Sequence, residues 1–525
     1  MRSETTSKYF ASSPDAGLPE STDVTVIGAG IGGIAAACLL ATDGWRVTVL
    51  ERNEKPGGKI QQFEWNGYRF DAGPTLLTLP EILGHLYSRC GSNIRRHLDL
   101  VRMDPVCRYH YPDGTQFLHH ADPDRTIEEV QRIAPEDLAA FKKFLNYSAR
   151  LYRTAAPPFL YNPLAEWGDL RQVKLFDLFR IDPMTTISRR IDKSFRSVYL
   201  RNFFKRFTTY SGSSPWLAPA TLNIIPHIEI EKGGWYVKGG IYRIAESLTE
   251  LAESLGVTFH FQTEVKSIEV DKKGPGSCQT TGVKLGNGQL IRSSVVISNC
   301  DPTETMNHLL PEESKTFFRN SRIRRQSALE PSCSGYVLLL AAQKQWPLLR
   351  HHNIYFSNDY RDEFEQIFSE KKLPEDPTIY VVNSSVTDPA DAPEGGSNLF
   401  ILVNAPSLGE HPEHQQSEND YPDRIIEKLE SSGLNGLSES IAWRKILTPR
   451  DFQDQFRAWR GSIYGTSSNS RFSAFFRPGN RVKGIDGLYL TGGGTHPGGG
   501  IPLVIRSAVH TAELVERFEN RDANL

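Results

Sequence analysis

The sequence predicts an α/β fold, and three stretches carry that expectation. A short β-branched run, residues 23–27, delivers Gly28-Ala29-Gly30-Ile31-Gly32-Gly33 into an alanine-rich helix that ends near Gly44. A second run, residues 46–50, follows and stops on Glu51. Far downstream, residues 487–491 read as a strand that enters Gly492-Gly493-Gly494, with a helix beginning near Ile501-Pro502; proline is well tolerated in a first helical turn.

The first two stretches make one β-α-β unit of Rossmann-like type. Gly28 permits the tight turn, Gly30 lets backbone approach a pyrophosphate, and Gly33 lets the helix pack closely on the strand. The helix N-terminus presents free N–H groups and partial positive charge to phosphates. Glu51, 18 residues beyond Gly33, is placed to accept hydrogen bonds from ribose hydroxyls. Strand, helix, second strand and acid in register point to dinucleotide binding.

A chain of 525 residues calls for two or more domains. A net charge of −2 with 23% charged residues gives no reason to expect a nucleic acid partner. The six cysteines are scattered without CxxC or metal spacing, as expected of reduced thiols in a cytoplasmic protein, and no metal site is expected. Residues 1–21 are polar and lack the apolar core of a secretory signal, so they read as a disordered leader. No apolar run approaches the ~18 residues of a membrane span.

Beyond Glu51, Arg52 leads to Gly57-Gly58-Lys59, a second glycine pair that suggests the chain turns back over the cofactor. Gly28, Gly30, Gly33, Ala36, Leu39, Gly44, Glu51, Gly57 and Gly58 are similar to the extended signature of the FAD superfamily that includes amine oxidases and carotenoid desaturases. The resemblance implies FAD, with Gly32, Arg52, Gly58 and Lys59 among its contacts. Phe70-Asp71-Ala72-Gly73-Pro74-Thr75 resembles the bacterial-type phytoene desaturases, and Gly73, Pro74 and Thr75 join the cofactor set on that ground.

Residues 107–120 read as a hairpin around Pro112-Asp113-Gly114. Its histidines, His110, His119 and His120, have no partner spacing that would support a metal site. Residues 126–207 read as helical. Within them, 171–206 carries ten Lys or Arg against three Asp, interleaved with Phe176, Phe179, Phe195, Tyr199, Phe203 and Phe204. Cations beside aromatic anchors suit an interfacial helix on anionic headgroups, Lys205 and Arg206 included; a merely solvated basic face is the alternative. Residues 228–235 read as a strand entering Gly239-Gly240, followed by an amphipathic helix over 241–255. Trp235 and Tyr236 are candidates to line a long apolar slot.

Strand patterns at 257–271, 282–285 and 289–297 read as a return to the first domain, in which the resemblance puts the backbone of Val265 against adenine. The segments 331–342, 351–364, 376–389 and 398–406 alternate strand and loop, as a mixed sheet would. Adjacent strand residues point to opposite faces, so His351 and His352 are not expected to share a ligand. In the tail, a helix N-terminus aimed at the flavin would stabilise the negative charge of its reduced form. Gly492, Gly493, Gly500, Ile501, Pro502 and Val504 are the flavin-side candidates.

The predicted architecture is therefore a discontinuous FAD-binding domain (22–80, 240–305, 481–525), a mixed-sheet substrate domain (81–125, 223–239, 306–480) and a helical, membrane-facing subdomain (126–222). Over about residues 22–515 the chain resembles the carotenoid desaturases of the bacterial phytoene desaturase type. That resemblance implies FAD-dependent desaturation of an acyclic polyene, phytoene, diapophytoene or a later one, by hydride transfer to flavin N5. Oxygen or a quinone would accept the electrons, and the enzyme would sit peripherally on the membrane from the cytoplasm. No side chain is assigned as the proton acceptor. A terminal-methyl oxygenase or ketolase, an isomerase or saturase of the same family, or an FAD-free lipid escort protein are the alternatives. Thr495-His496-Pro497 favours the desaturase, since the oxygenases tend to carry Val-Asn-Pro there.

Overall fold

The β-branched run at the N-terminus forms the strand Val24–Ile27, buried throughout because parallel neighbours flank it on both sides. The computed structural model describes residues 17–163, 181–274, 276–312, 329–409, 419–470 and 477–519. In it a five-stranded parallel sheet runs in the order Leu488–Leu490, Val295–Ser298, Val24–Ile27, Val47–Leu50, Thr258–His260. Residues as far apart as Val24 and Val295 thus become neighbours, and all five carboxyl ends open onto one edge, where ligands of such sheets bind.

Helix Ile31–Thr42 is apolar all round and buried from Ile31 to Leu40. It packs between Arg243–Ser254 and Ile501–Phe518 in the first hydrophobic core. Helix Pro80–Arg89 also joins that core through Leu83, Leu86 and Tyr87. The expected boundary at 81 therefore lies too early; Pro at the first helical position was the local signal. A meander of Val265–Gly274, Ser277–Leu285 and Leu290–Arg292 caps the sheet. The expected leader is also shorter than 21 residues, because Ser21 bridges Arg292 and the Glu20 carbonyl accepts the Arg292 N–H at 2.9 Å; residues 1–16 lie outside the described residues.

A seven-stranded mixed sheet forms the second layer, in the order Ile441–Leu447, Ser334–Ala342, Ser397–Ala405, Ile379–Asn383, His352–Tyr355, Cys107–His110, Gln116–His119. The expected hairpin pairs Cys107 with His119 and supplies the edge. Helices Pro123–Ile133, Leu138–Leu160, Ile187–Ser194 and Val198–Arg206 stack on this layer around Phe141, Phe144, Phe195, Phe203 and Phe204.

Two expectations for this region change. The strand predicted at 228–235 is a helix, Ile224–Lys232, that ends where Gly233 adopts φ +83° and leaves only Trp235–Val237 as strand. Its Pro226 lies in the first turn, where no intrahelical N–H is needed, and packing against Leu138–Leu160 overrides the β-branched composition. The basic stretch is not an outward-facing surface at its end. Lys205 and Arg206 are buried, Lys205 pairing with Asp192 at 2.7 Å and Arg206 with Glu229 at 2.6 Å, while Phe195, Phe203 and Phe204 are core. Residues 171–180 of that stretch, with Phe176 and Phe179, lie outside the described residues.

Candidate active site

One cavity of about 660 Å³ runs from the carboxyl edge of the parallel sheet to the inner face of the seven-stranded sheet. Gly28, Gly30, Gly32, Glu51, Arg52, Gly58, Lys59, Gly73, Pro74, Thr75, Val265, Gly492, Gly493, Gly500, Ile501, Pro502 and Val504 all line it. Gly33 lies behind the wall, where the sequence placed its packing role: a Cβ there would stand 2.3 Å from the Gly28 carbonyl oxygen.

The glycine loop is closed by three contacts. Glu51 Oε2 accepts the Ala29 N–H at 2.8 Å, Oε1 accepts that of Asn53 at 2.8 Å, and the Gly57 N–H donates to the Ala29 carbonyl at 2.8 Å. The second glycine pair thus does fold back on the first. Burial pushes the Glu51 carboxyl up, while the N–H groups of Asn53 and Ala29 hold it down. Asn299, which the sequence reading passed over, stands between the two glycine loops. A Cβ at Gly30 would meet its Nδ2 at 2.5 Å, one at Gly32 its Oδ1 at 2.7 Å, and one at Gly492 its Oδ1 at 2.8 Å. Its signal was available: it follows a strand of a parallel sheet, at the carboxyl end. These absent side chains leave a groove whose walls are backbone, a buried carboxylate and a helix N-terminus at Ile501, which suits the two phosphates, ribose and flavin of FAD.

Lys59 and Asp301 face the groove beyond Asn299. The Lys59 ammonium donates to the Ser462 and Ile463 carbonyls at 3.1 and 2.8 Å; burial lowers its pKa and Asp301 opposes that. Arg477 holds the C-terminal glycine loop by donating to the Gly493 carbonyl at 2.9 Å. His496 Nε2 lies 3.0 Å from the Asn162 carbonyl, so the loop is fastened to the end of helix Leu138–Leu160.

Asp71 explains why two distant motifs coexist. It accepts the N–H groups of Ile241 and Tyr242 at 3.0 and 3.3 Å, and so ties the 70–75 segment to the Gly239-Gly240 turn. Trp235 and Tyr236 do not line the cavity. Tyr236 is buried elsewhere, with its hydroxyl 2.8 Å from Arg69 and 3.0 Å from Asp391, and Trp235 packs beside the first core.

Past Thr75 the cavity is walled by Leu222, Ile224, Ile225 and Ile228 from the helical layer and by Val337, Phe400 and Leu402 from the seven-stranded sheet. A polar group interrupts this wall. Thr75 Oγ1 lies 2.9 Å from the Tyr380 hydroxyl, which lies 2.7 Å from His352 Nδ1. Beside it Arg206 bonds Glu229, and Tyr210 donates to the same carboxylate. His351 does not line the cavity and its Nδ1 meets Thr387 at 2.8 Å, so the two histidines serve different surroundings. The hairpin histidines are structural: His119 faces Glu229 at 3.3 Å and His120 faces Asp104 at 3.0 Å. Among the described residues no group of three or more His, Cys, Asp or Glu could hold a metal ion.

Over residues 31–516 the chain matches the protein family described as flavin containing amine oxidoreductase. It is 35% identical over 494 residues to a 4,4'-diapolycopene oxygenase of a Methylomonas species, covering 92% of this chain and 96% of that one. It is 32% identical over 504 residues to a 4,4'-diaponeurosporene oxygenase of Staphylococcus aureus, covering 95% and 99%. An oxidoreductase from Methanosarcina mazei of known crystal structure shares the fold, with a TM-score of 0.58 at 17% identity over 94% of this chain and 100% of that one. The chain belongs to the flavin containing amine oxidoreductase family, whose cofactor is FAD.

Proposed function

We propose that this protein is an FAD-dependent oxidoreductase that oxidises the end of a long acyclic carotenoid, introducing oxygen at a terminal carbon. The observation that carries the reading is the continuity of one cavity from the glycine loops and Glu51 to a predominantly apolar slot. The reading is supported by two full-length relatives named as oxygenases of acyclic carotenoids. When bound, FAD supplies the two-electron chemistry. The chain's own contribution is to hold a flexible hydrocarbon in line against the cofactor wall and to keep water out, both functions of the aliphatic side chains between Leu222 and Ile228 and of Val337, Phe400 and Leu402. Desaturation of the same class of polyene is the second reading, favoured by Thr495-His496-Pro497 in the C-terminal loop.

The substrate's insolubility makes membrane contact part of the proposal. No described helix is long and apolar enough to cross a membrane. Phe159, Leu160, Ile181 and Pro183 line the cavity, and their near neighbours Tyr161 and Met184 are exposed by 40% and 70%. Leu217 is 47% exposed on the segment that pairs with the one after Met184, where the Thr185 carbonyl accepts the Ala220 N–H and Thr186 bridges Pro219. Arg189 and Lys193 are exposed on the next helix. Apolar anchors with flanking cations form an interfacial docking surface, which replaces Lys205 and Arg206 in that role.

Anaerobic incubation of the FAD-loaded protein with an acyclic C30 polyene in liposomes, and separately with putrescine, tests the reading. Bleaching of the flavin absorbance by the polyene alone is expected. Bleaching by the amine and not by the polyene would overturn it.

A further inference from the structure

Three polar side chains line one part of the cavity, each with a buried atom that has no hydrogen-bond partner among the described residues. They are His352 through Nε2, Arg206 through Nε and Tyr360 through its hydroxyl. His352 is 1% exposed and Tyr360 4%. The Arg206 charge acts on both of the others, so the three share one neighbourhood. Native interiors seldom leave such groups unsatisfied, and a cluster of them beside a ligand cavity marks where a ligand atom completes the set.

The chemistry of that atom follows from the donors. Arg206 uses Nη2 on Glu229 and Tyr109, which leaves an Nε–H that can only donate. Burial lowers the pKa of His352 to about 3, so the ring is neutral and carries one N–H. The two hydrogen bonds of the Thr75–Tyr380–His352 chain can run in either direction; run towards Nδ1, they put the ring proton on Nε2. With the chain in that order the free groups include two donors, the Arg206 Nε–H and the His352 Nε2–H, beside the Tyr360 hydroxyl, in a wall that is mostly apolar. A hydrocarbon end would leave all of them unpaired, and an uncharged oxygen would accept from them.

The geometry points to His352, Arg206 and Tyr360 as a binding site for a hydroxyl or aldehyde oxygen on the buried end of the substrate, so that the protein prefers an acyclic polyene already oxygenated at its terminus to the bare hydrocarbon. This inference rests on the carotenoid reading given above and names the substrate class within it. Tyr380 acts through His352 and is a positioning residue. Tyr380 is bonded to Thr75, which follows Gly73-Pro74 in the cofactor wall, so the chain that orients the His352 ring is anchored in that wall.

The test uses the FAD-loaded full chain with a matched pair of probes in mixed micelles, 4,4'-diapolycopene and its 4-aldehyde, and measures the affinity of each together with the Raman carbonyl stretch of the bound aldehyde. Wild type is expected to bind the aldehyde about tenfold more tightly than the hydrocarbon, with a lowered stretch, as one or two hydrogen bonds to a buried oxygen would give. His352→Phe brings the ratio close to one and raises the stretch. His352→Gln, which keeps an N–H near the position of Nε2, restores part of both, and Tyr380→Phe weakens both. Flavin content reports the folding of each variant. Equal affinities in wild type, or an unchanged ratio and stretch in His352→Phe, would overturn the oxygen site while leaving the carotenoid reading in place. Failure of flavin-loaded wild type to bind either probe would overturn both.

Discussion

The Glu51 carboxylate accepts the backbone N–H of Ala29 at 2.8 Å, across the turn that the first glycine makes. The acid that ends the second strand therefore shapes the glycine loop as well as facing the cavity, and two effects follow from one substitution. Glu51→Gln keeps one acceptor for Ala29 but loses the charge and the second acceptor. Its FAD dissociation constant is expected to rise at least about tenfold, the loss of one hydrogen bond to a charged group being worth about 1.5–3 kcal/mol. Flavin fluorescence titration of apoprotein measures it, and unchanged affinity would contradict the assignment.

The two glycines at the start of the first helix differ in what they meet. A methyl group at Gly33 strikes backbone, the Gly28 carbonyl at 2.3 Å, whereas one at Gly30 strikes the Asn299 side chain at 2.5 Å. Gly33→Ala should therefore destabilise the fold by about 1–3 kcal/mol in chemical denaturation. Gly30→Ala should be rescued in part by adding Asn299→Ala, and Gly33→Ala should not. Rescue of both to the same extent would show that Asn299 is not the obstacle.

Arg206 and Glu229 form a buried pair. Burial pushes the Glu229 carboxyl up, but Arg206 and His119 outweigh it and hold the group down at about 2, against an ordinary 4.5. An acid held below its unfolded value stabilises the fold above that value and loses the contribution as pH falls through the folded one. The stability advantage of wild type over Glu229→Gln is thus expected to be full at neutral pH, about 3–5 kcal/mol for a broken buried pair, and to shrink as pH falls from 4.5 towards 2. Denaturant midpoints across that range test it; a constant difference would mean the carboxylate is not held by Arg206.

Met184 and Leu217 are exposed by 70% and 47% beside segments that line the cavity. Met184→Asp with Leu217→Asp should lower sedimentation with anionic liposomes severalfold or more, since each apolar side chain transferred is worth about 1.5–3 kcal/mol. Flavin content should stay the same. Lys205→Gln should instead act on folding, because its ammonium pairs with Asp192 inside the helical layer.

Both ends of the cofactor groove were legible in the sequence because glycine turns, β-branched runs and an acid at fixed spacing are local signals. Every residue predicted from them lines the cavity except Gly33, which packs behind it. Asn299 was legible in principle, as the residue after a buried strand. Arg206 was not. Its neighbours in sequence are cations and aromatics that read as a surface, and only the folded chain brings Glu229 to it from a helix that itself looked like a strand. His352 and Tyr380 come together for a similar reason: sheet register pairs His352 with Val382 and Ile354 with Tyr380, and no spacing along the chain encodes that.

The most direct measurement is product analysis after aerobic turnover of an acyclic C30 polyene by the FAD-loaded protein in liposomes under ¹⁸O₂. Terminal oxidation predicts a product that has gained oxygen at an end carbon, labelled from ¹⁸O₂ or, in a parallel run under unlabelled oxygen, from H₂¹⁸O. A product that has only lost hydrogen, with no added oxygen, would contradict it and establish desaturation in its place.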